Sequence, residues 1–267
     1  MYESQEELDG LRLKSNQSAG KAFVKSGRLQ ADQLLSPKDE LYLVRSYLVN
    51  LKEFCRKFTP TMRRSVIATA FIYMKRFYLN ESCMDYHPRN IGVTCAYLAC
   101  KVDEFNVSID QFIKNVRGDC VKAQKTVLSN ELLLMKKLRF HLTVHLPFRA
   151  VEGFLIDLRA RGGPMRDKTD LLTPEIDDFL DKSVFTDACF LFTPSQIALA
   201  AVYHSAEKSG LDMSTYLNDV LFAGDPDALT YFIQAASELK NLIERDLQNS
   251  PSKDIIKKIE KKLADIK

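Results

Sequence analysis

The sequence predicts an all-α protein built from two related five-helix domains, and three observations lead there. Apolar residues recur at three- and four-residue steps along most of the 267-residue chain, with β-branched alternation only in brief runs. Helix starts are announced by hydroxyl caps followed by proline at the first helical position, as in Ser36-Pro37 and Thr193-Pro194. Two segments, HPRNIGVTCAYLACK from His87 and TPSQIALAAVYHSAE from Thr193, align without gaps at an offset of 106 residues. In that alignment Pro88 pairs with Pro194, Ile91 with Ile197 and Tyr97 with Tyr203.

Taken in order, Ser4 and Glu7 stand at capping-box spacing before a short helix that carries Leu8 and Leu11. The polar stretch from Ser15 to Arg28 reads as a connecting arm. Ser36-Pro37-Lys38-Asp39 then opens a helix whose stripe of Leu41, Val44, Leu48, Leu51, Phe54 and Phe58 runs until Thr59-Pro60. A second helix spans about 61–80, and Pro88 opens a third. That third helix is apolar on nearly every side, through Ile91, Val93, Cys95, Ala96, Leu98, Ala99 and Cys100, so it belongs at the centre of a bundle. It ends abruptly in Lys101, Asp103 and Glu104, a polar tip on a buried rod. Residues 108–116 read as a short fourth helix and 128–138 as a fifth, ending near Phe140.

Pro147 opens the second half with a helix that stops at the Gly162-Gly163-Pro164 loop, followed by a helix from about Pro174 to Phe192. Thr193, Pro194 and Gln196 combine a hydroxyl cap, a first-turn proline and a capping-box partner, and their helix is expected to end near Gly210. Ile255, Ile256, Ile259, Leu263 and Ile266 form a stripe beneath a lysine-rich face, which predicts an amphipathic helix packed on the body or on a partner. The resulting division is an N-terminal helix and arm (1–35), a first domain (36–146), a second domain (147–248) and a basic C-terminal helix (249–267). Ser250, followed by proline between helices, is the candidate phosphorylation position.

Composition narrows the function. At 46% apolar and 27% charged residues the chain is ordinary for a globular protein, with no apolar run long enough for a membrane span and no signal-peptide pattern, which predicts a cytosolic or nuclear protein. Its formal charge of +3 resides in the tail, where residues 253–267 hold six Lys against two Asp and one Glu. The remaining chain balances at 32 basic against 32 acidic residues, so no broad field draws it to nucleic acid. The six cysteines show no framework or C-x-x-C, and reduced thiols are expected.

No catalytic constellation is recognisable: there is no phosphate loop, G-x-S-x-G or H-E-x-x-H. His141 and His145 have four-residue spacing, but the surrounding alternation reads as packing or loop-capping histidines and not as a metal pair. Neither a metal nor a cofactor is called for, and catalysis is unsupported by these patterns without being excluded.

MKRFYLN at 74–80, YHPR at 86–89 and LACKVDEFNVS at 98–108 resemble the cyclin box. ELLLMKKLRFHL at 131–142, EGFLIDL at 152–158 and TPSQIAL at 193–199 extend that resemblance from about Ser36 to Glu244, closest to the cyclin of the CDK-activating kinase. The resemblance implies two cyclin-type five-helix domains in tandem with extra N- and C-terminal helices. It also implies a nuclear, non-catalytic subunit that binds and activates a cyclin-dependent kinase. Further partners so implied are a RING-finger assembly factor and the general transcription and DNA-repair factor that phosphorylates the RNA polymerase II tail. Alternatives of the same fold are another transcriptional cyclin, or a TFIIB-like factor whose repeats contact DNA.

By the same resemblance Lys101 and Glu131 hold the kinase's mobile helix. Lysine offers three donors to carbonyls and an ionised glutamate accepts from N–H groups, which suits a grip on a helix end. Leu98, Val102, Met135, Phe140 and Leu142 are expected to supply apolar area around them. In the second copy Glu207 replaces Lys101, so only the first domain is expected to act in this way. VRSYLVNL at 44–51 carries Asn50 and Leu51 where the cell-cycle motif has an acid and tryptophan, so Arg-x-Leu substrate docking is not expected.

Overall fold

The computed structural model describes residues 2–25, 27, 33–249 and 251–266. Twelve α-helices lie among them: α1 (Gln5–Lys25), α2 (Pro37–Arg56), α3 (Arg64–Asn80), α4 (Pro88–Val102), α5 (Ile109–Ile113), α6 (Cys120–Lys137), α7 (Phe148–Arg161), α8 (Thr169–Ser183), α9 (Ala188–Leu191), α10 (Pro194–Lys208), α11 (Pro226–Gln248) and α12 (Lys253–Ile266). No strand occurs among the described residues, and no helix is long and apolar enough to cross a membrane. Ser250 lies outside the described residues. The chain divides into two compact units, Ser4–Val144 with Ser250–Lys267, and Met1–Glu3 with His145–Asn249.

In the first unit α4 is the axle, packed by α2, α3 and α6. Its Cys95, Ala96, Ala99 and Cys100 are at most marginally exposed, and such small side chains let neighbouring helices approach closely. Proline at the first turn and the His87 ring, whose Nδ1 accepts from the Arg89 N–H at 3.2 Å, start the helix. Beneath α2 an aromatic cluster joins Phe54, Phe58, Tyr97 and Phe112, with Phe112 itself fully buried. Burial pushes the Cys55 and Cys100 thiols up to about 12, so both stay protonated and behave as small hydrophobes.

The stretch expected as a connecting arm is helical as far as Lys25. Asn16, Ala19 and Gly20 are buried where α1 packs on α2 and α3, and Asn16 donates to the Leu35 carbonyl at 2.9 Å. Packing therefore extends a helix whose apolar face is too broken to read as periodic. Likewise α6 begins eight residues before Leu128, because Asp119 caps the N–H groups of Val121 and Lys122 ahead of two polar turns. The tail helix packs on α2 through Ile259, Leu263 and Ile266, and the Tyr47 hydroxyl donates to Glu260 at 3.0 Å.

A buried carboxylate ties the start of this unit together. Glu40 is 8% exposed and accepts from the Ser82 hydroxyl and from the Cys83 N–H at 3.0 Å. Burial raises its pKa above the usual 4.5, against the opposing effect of its hydrogen bonds from Ser82 and Asn16. The folded chain thus binds a proton more tightly than the unfolded chain, and the associated stability is fully present below the unfolded pKa and lost as pH rises through the folded one. Glu40→Gln removes this titration. We expect the Tm difference, wild type minus Glu40→Gln, to grow as pH falls from 7 towards 4.5, and a pH-independent difference would contradict the assignment.

The second unit repeats the plan, with α10 packed by α7, α8 and α11. The expected Gly-Gly-Pro loop is a 3-10 turn over Gly163–Lys168 that buries Met165. The following helix starts at Thr169, before Pro174, because Thr169 and Leu172 are buried and Thr169 accepts from Arg159 Nε at 2.8 Å. It stops at Ser183 instead of continuing to Phe192, and the short α9 follows a turn around buried Thr186 and Asp187. A π turn, Tyr216–Leu221, holds buried Tyr216, whose hydroxyl donates to Asp157 at 2.6 Å.

Candidate functional site at the ends of helices α4 and α6

The two halves of the repeat end α4 and α10 in the same way. The Phe105 N–H reaches back to the Cys100 carbonyl at 2.8 Å, as the Leu211 N–H does to Ala206 at 2.9 Å, closing a Schellman cap at the shared offset. The second copy places Gly210 at the left-handed position with φ +68°, where the first copy forces Glu104 to φ +52°. A second Schellman cap closes α6, with Phe140 N–H bonded to Met135 O at 2.9 Å and Arg139 N–H to Lys136 O at 2.9 Å. Arg139 and Phe140 sit at φ +53° and +57°. The positive-φ non-glycine residues of the described chain, Glu104, Arg139 and Phe140, thus all fall at these two helix ends, where strained backbone marks residues held in place by their surroundings.

Side chains from α3 and the residue before it pin both ends. Arg63 donates to the Asp103 carbonyl at 2.8 Å and the Glu104 carbonyl at 3.1 Å, a cation at a helix C-terminus. Arg76 donates to His141 O at 3.2 Å, and the Tyr73 hydroxyl to Leu142 O.

Between the two ends Lys101 Nζ lies 2.6 Å from Glu131 Oε1, and 5.5 Å from the centre of the Tyr97 ring. The Glu131 side chain is 13% exposed while that of Lys101 is 51% exposed, so the acid is the anchor and the lysine faces outward. The hydrogen bond that Lys101 donates to Glu131 raises the Lys101 pKa against partial desolvation, which keeps the ammonium charged. Only one carboxylate oxygen and one ammonium proton are used in this pair, leaving donor and acceptor capacity on both groups.

The structure therefore brings Lys101 and Glu131 together. Phe140 is 59% exposed, while Val102, Met135 and Leu142 are half-buried at the same rim. Leu98 departs from expectation: it is 2% exposed and belongs to the core, because the face of α4 that bears it packs inward, so it offers no area to a partner. Three residues of the surface had not been singled out. Val121, Leu128 and Leu132 are 77%, 47% and 51% exposed and lie with Met135 along one line of α6, beside Glu131. Their spacing carried the signal, since Val127, Leu134 and Leu138 already form a buried stripe and the helix bears a second one facing out.

In the second unit the corresponding position holds Glu207, which meets Lys240 of α11 at 3.5 Å. The α10–α11 pair has the reverse polarity of the α4–α6 pair. His141 and His145, expected as packing or loop-capping residues, are both exposed, and no group of three or more metal-ligating side chains occurs among the described residues.

Comparison with known proteins follows this geometry. The family description "Cyclin, N-terminal domain" matches residues 30–143 and "Cyclin C-terminal domain" matches 146–265. Cyclin-H of Xenopus laevis is 44% identical over 215 residues, covering 79% of this chain and 66% of that protein. Cyclin-H1-1 of Arabidopsis thaliana is 32% identical over 244 residues, covering 88% of this chain and 70% of that one. In solved structures, a chain of the CAK complex of Chaetomium thermophilum bound to ATP-gamma-S superposes with a TM-score of 0.83 at 28% identity, covering 99% of this chain and 85% of that chain. Two cyclin domains matched end to end, on a helical repeat whose paired helices share their caps, lead to one conclusion: the chain belongs to the cyclin family.

Proposed function

We propose that this chain is a non-catalytic regulatory subunit that binds and activates a cyclin-dependent kinase of the CDK-activating class. The observation that carries the reading is the preformed Lys101–Glu131 pair set beside an uncovered apolar stripe on rigidly capped helix ends. Likeness to cyclin-H proteins and to a chain of the Chaetomium CAK complex supports the choice of kinase class.

The stripe of Val121, Leu128, Leu132, Met135 and Phe140 supplies contact area, and the ion pair supplies direction. Lys101 presents donors to carbonyls at a helix end of the kinase, and Glu131 accepts from its N–H groups. A rigid surface of this kind binds one placement of the mobile kinase helix better than the others, and so raises the population in which the Lys–Glu pair of the ATP site is formed. Activation is differential binding, with no reacting group contributed by this chain. A RING-finger assembly factor, the general transcription and repair factor, action on the polymerase tail and nuclear residence belong to the same reading.

The test is titration of the kinase's catalytic subunit with wild type and with Leu128→Glu, Leu132→Glu, two exposed positions where charge is compatible with folding. The variant is expected to bind at least about tenfold more weakly, since each buried leucine contributes about 1.5–3 kcal/mol. Equal affinities would place the kinase elsewhere.

A further inference from the structure

Helix α3 is buried on nearly every side, yet one line of it is polar. Thr69, Tyr73 and Arg76 follow one another at four and three residues, which places them on one face. Thr69 is 1% exposed and Tyr73 is fully buried, so each hydroxyl must find a partner. The partners lie in the two helix ends of the candidate site. The Thr69 hydroxyl stands 3.4 Å from both carboxylate oxygens of Asp103, the residue that closes α4. The Tyr73 hydroxyl donates to the Leu142 carbonyl, and Arg76 to the His141 and Thr143 carbonyls at 3.2 and 3.5 Å, in the segment that follows the left-handed Phe140. Arg63, one residue before the helix, adds its two bonds to the Asp103 and Glu104 carbonyls. One helix therefore holds both strained ends by their backbone. In the second unit the counterpart α8 reaches the end of α10 through a largely exposed ion pair, Glu175 with Lys208, which solvent weakens.

We propose that Arg63, Tyr73 and Arg76 are positioning residues, and that α3 is a bracket fixing where the two helix ends stand, so that the Lys101–Glu131 surface admits one placement of the kinase's mobile helix. Resting on the kinase reading above, this gives contact and constraint to different residues. Contact comes from Lys101, Glu131 and the apolar stripe of α6, and it sets affinity. The bracket sets how far those contacts can shift once they are made. A face that wanders still binds, but it holds the kinase's own Lys–Glu pair formed for a smaller share of the time. Loosening the bracket therefore costs the activity of the complex more than its formation.

Two measurements on the same complexes test it: affinity for the purified catalytic subunit, and phosphorylation of a polymerase-tail peptide at saturating amounts of this chain. Tyr73→Phe with Arg76→Ala, and separately Arg63→Ala, are expected to bind within about tenfold of wild type while the saturated rate falls at least about fivefold. Arg63→Lys, which keeps a cation at the end of α4, is expected to recover most of the loss. A purely structural role would instead lower the urea midpoint and leave the saturated rate of the folded complex unchanged. Arg63 is exposed and its variants are expected to fold, so they carry the test even where the buried Tyr73 change does not. Saturated rates equal to wild type, a loss confined to affinity, or an Arg63→Lys no better than Arg63→Ala would each overturn the proposal. A wild-type chain that binds the kinase without activating it would remove the kinase reading, and the bracket with it.

Discussion

Lys101→Ala combined with Glu131→Ala is expected to weaken kinase binding by more than a hundredfold, and to abolish activation at subunit concentrations that saturate the wild type. On the proposed reading each group would make charge-assisted hydrogen bonds of about 1.5–3 kcal/mol to the partner, a factor of roughly ten to a hundred apiece. The single variants are expected to be non-additive, because the two groups already touch at 2.6 Å. Lys101→Ala leaves the mostly buried Glu131 unpaired, while Glu131→Ala releases a lysine that is half exposed. Calorimetric titration of the four species gives the coupling directly. Stability is a built-in control: an ion pair with one exposed partner contributes little to folding, about 0–1 kcal/mol, so the urea midpoint of Glu131→Ala, which leaves only an exposed lysine unpaired, should scarcely move. Loss of binding accompanied by global unfolding would argue for a structural role instead.

The largest loss of stability is expected from Phe112→Ala. Its ring is fully buried and lies 5.1–5.8 Å, centre to centre, from those of Tyr97, Phe54 and Phe58. Truncation removes the transfer free energy of the ring and leaves a cavity lined by aromatics that cannot collapse into it, at a cost of about 3–5 kcal/mol. The effect reaches the site, since Tyr97 packs on Phe112 and also holds the Lys101 ammonium 5.5 Å from its ring centre. Urea denaturation should show the shifted midpoint, and kinase titration at low temperature should show weaker binding by the folded variant. A midpoint change under about 1 kcal/mol would mean that the cluster is not a packing centre.

How much of this was legible depended on whether the deciding interaction was local. Proline-led caps at residues 37, 88 and 194 and the apolar stripes of α2 and α12 are written within a few residues; α2, α4 and α10 begin at those prolines, and the α12 stripe lies within its helix. The α1 extension, the early start of α6 and the helix around Pro174 were not legible, because long-range burial of Asn16 and Leu172, or a lone Asp119 cap before polar turns, decides them. At the site, Lys101 and Glu131 emerged from the family resemblance and meet in the structure. Leu98 went wrong because a helix apolar on every side gives no clue to which side stays covered. The left-handed residues Glu104, Arg139 and Phe140 break the rule that glycine fills such positions, so the sequence showed helix ends there but not their strain.

The central claim is activation, and the most direct measurement is the rate at which the purified catalytic subunit of a CDK-activating kinase phosphorylates a polymerase-tail peptide as this chain is titrated in. The account predicts a saturable rise that follows complex formation and that the Lys101→Ala, Glu131→Ala variant fails to produce. A rate unchanged at saturating, demonstrably bound subunit, or a rise identical with the double variant, would contradict it.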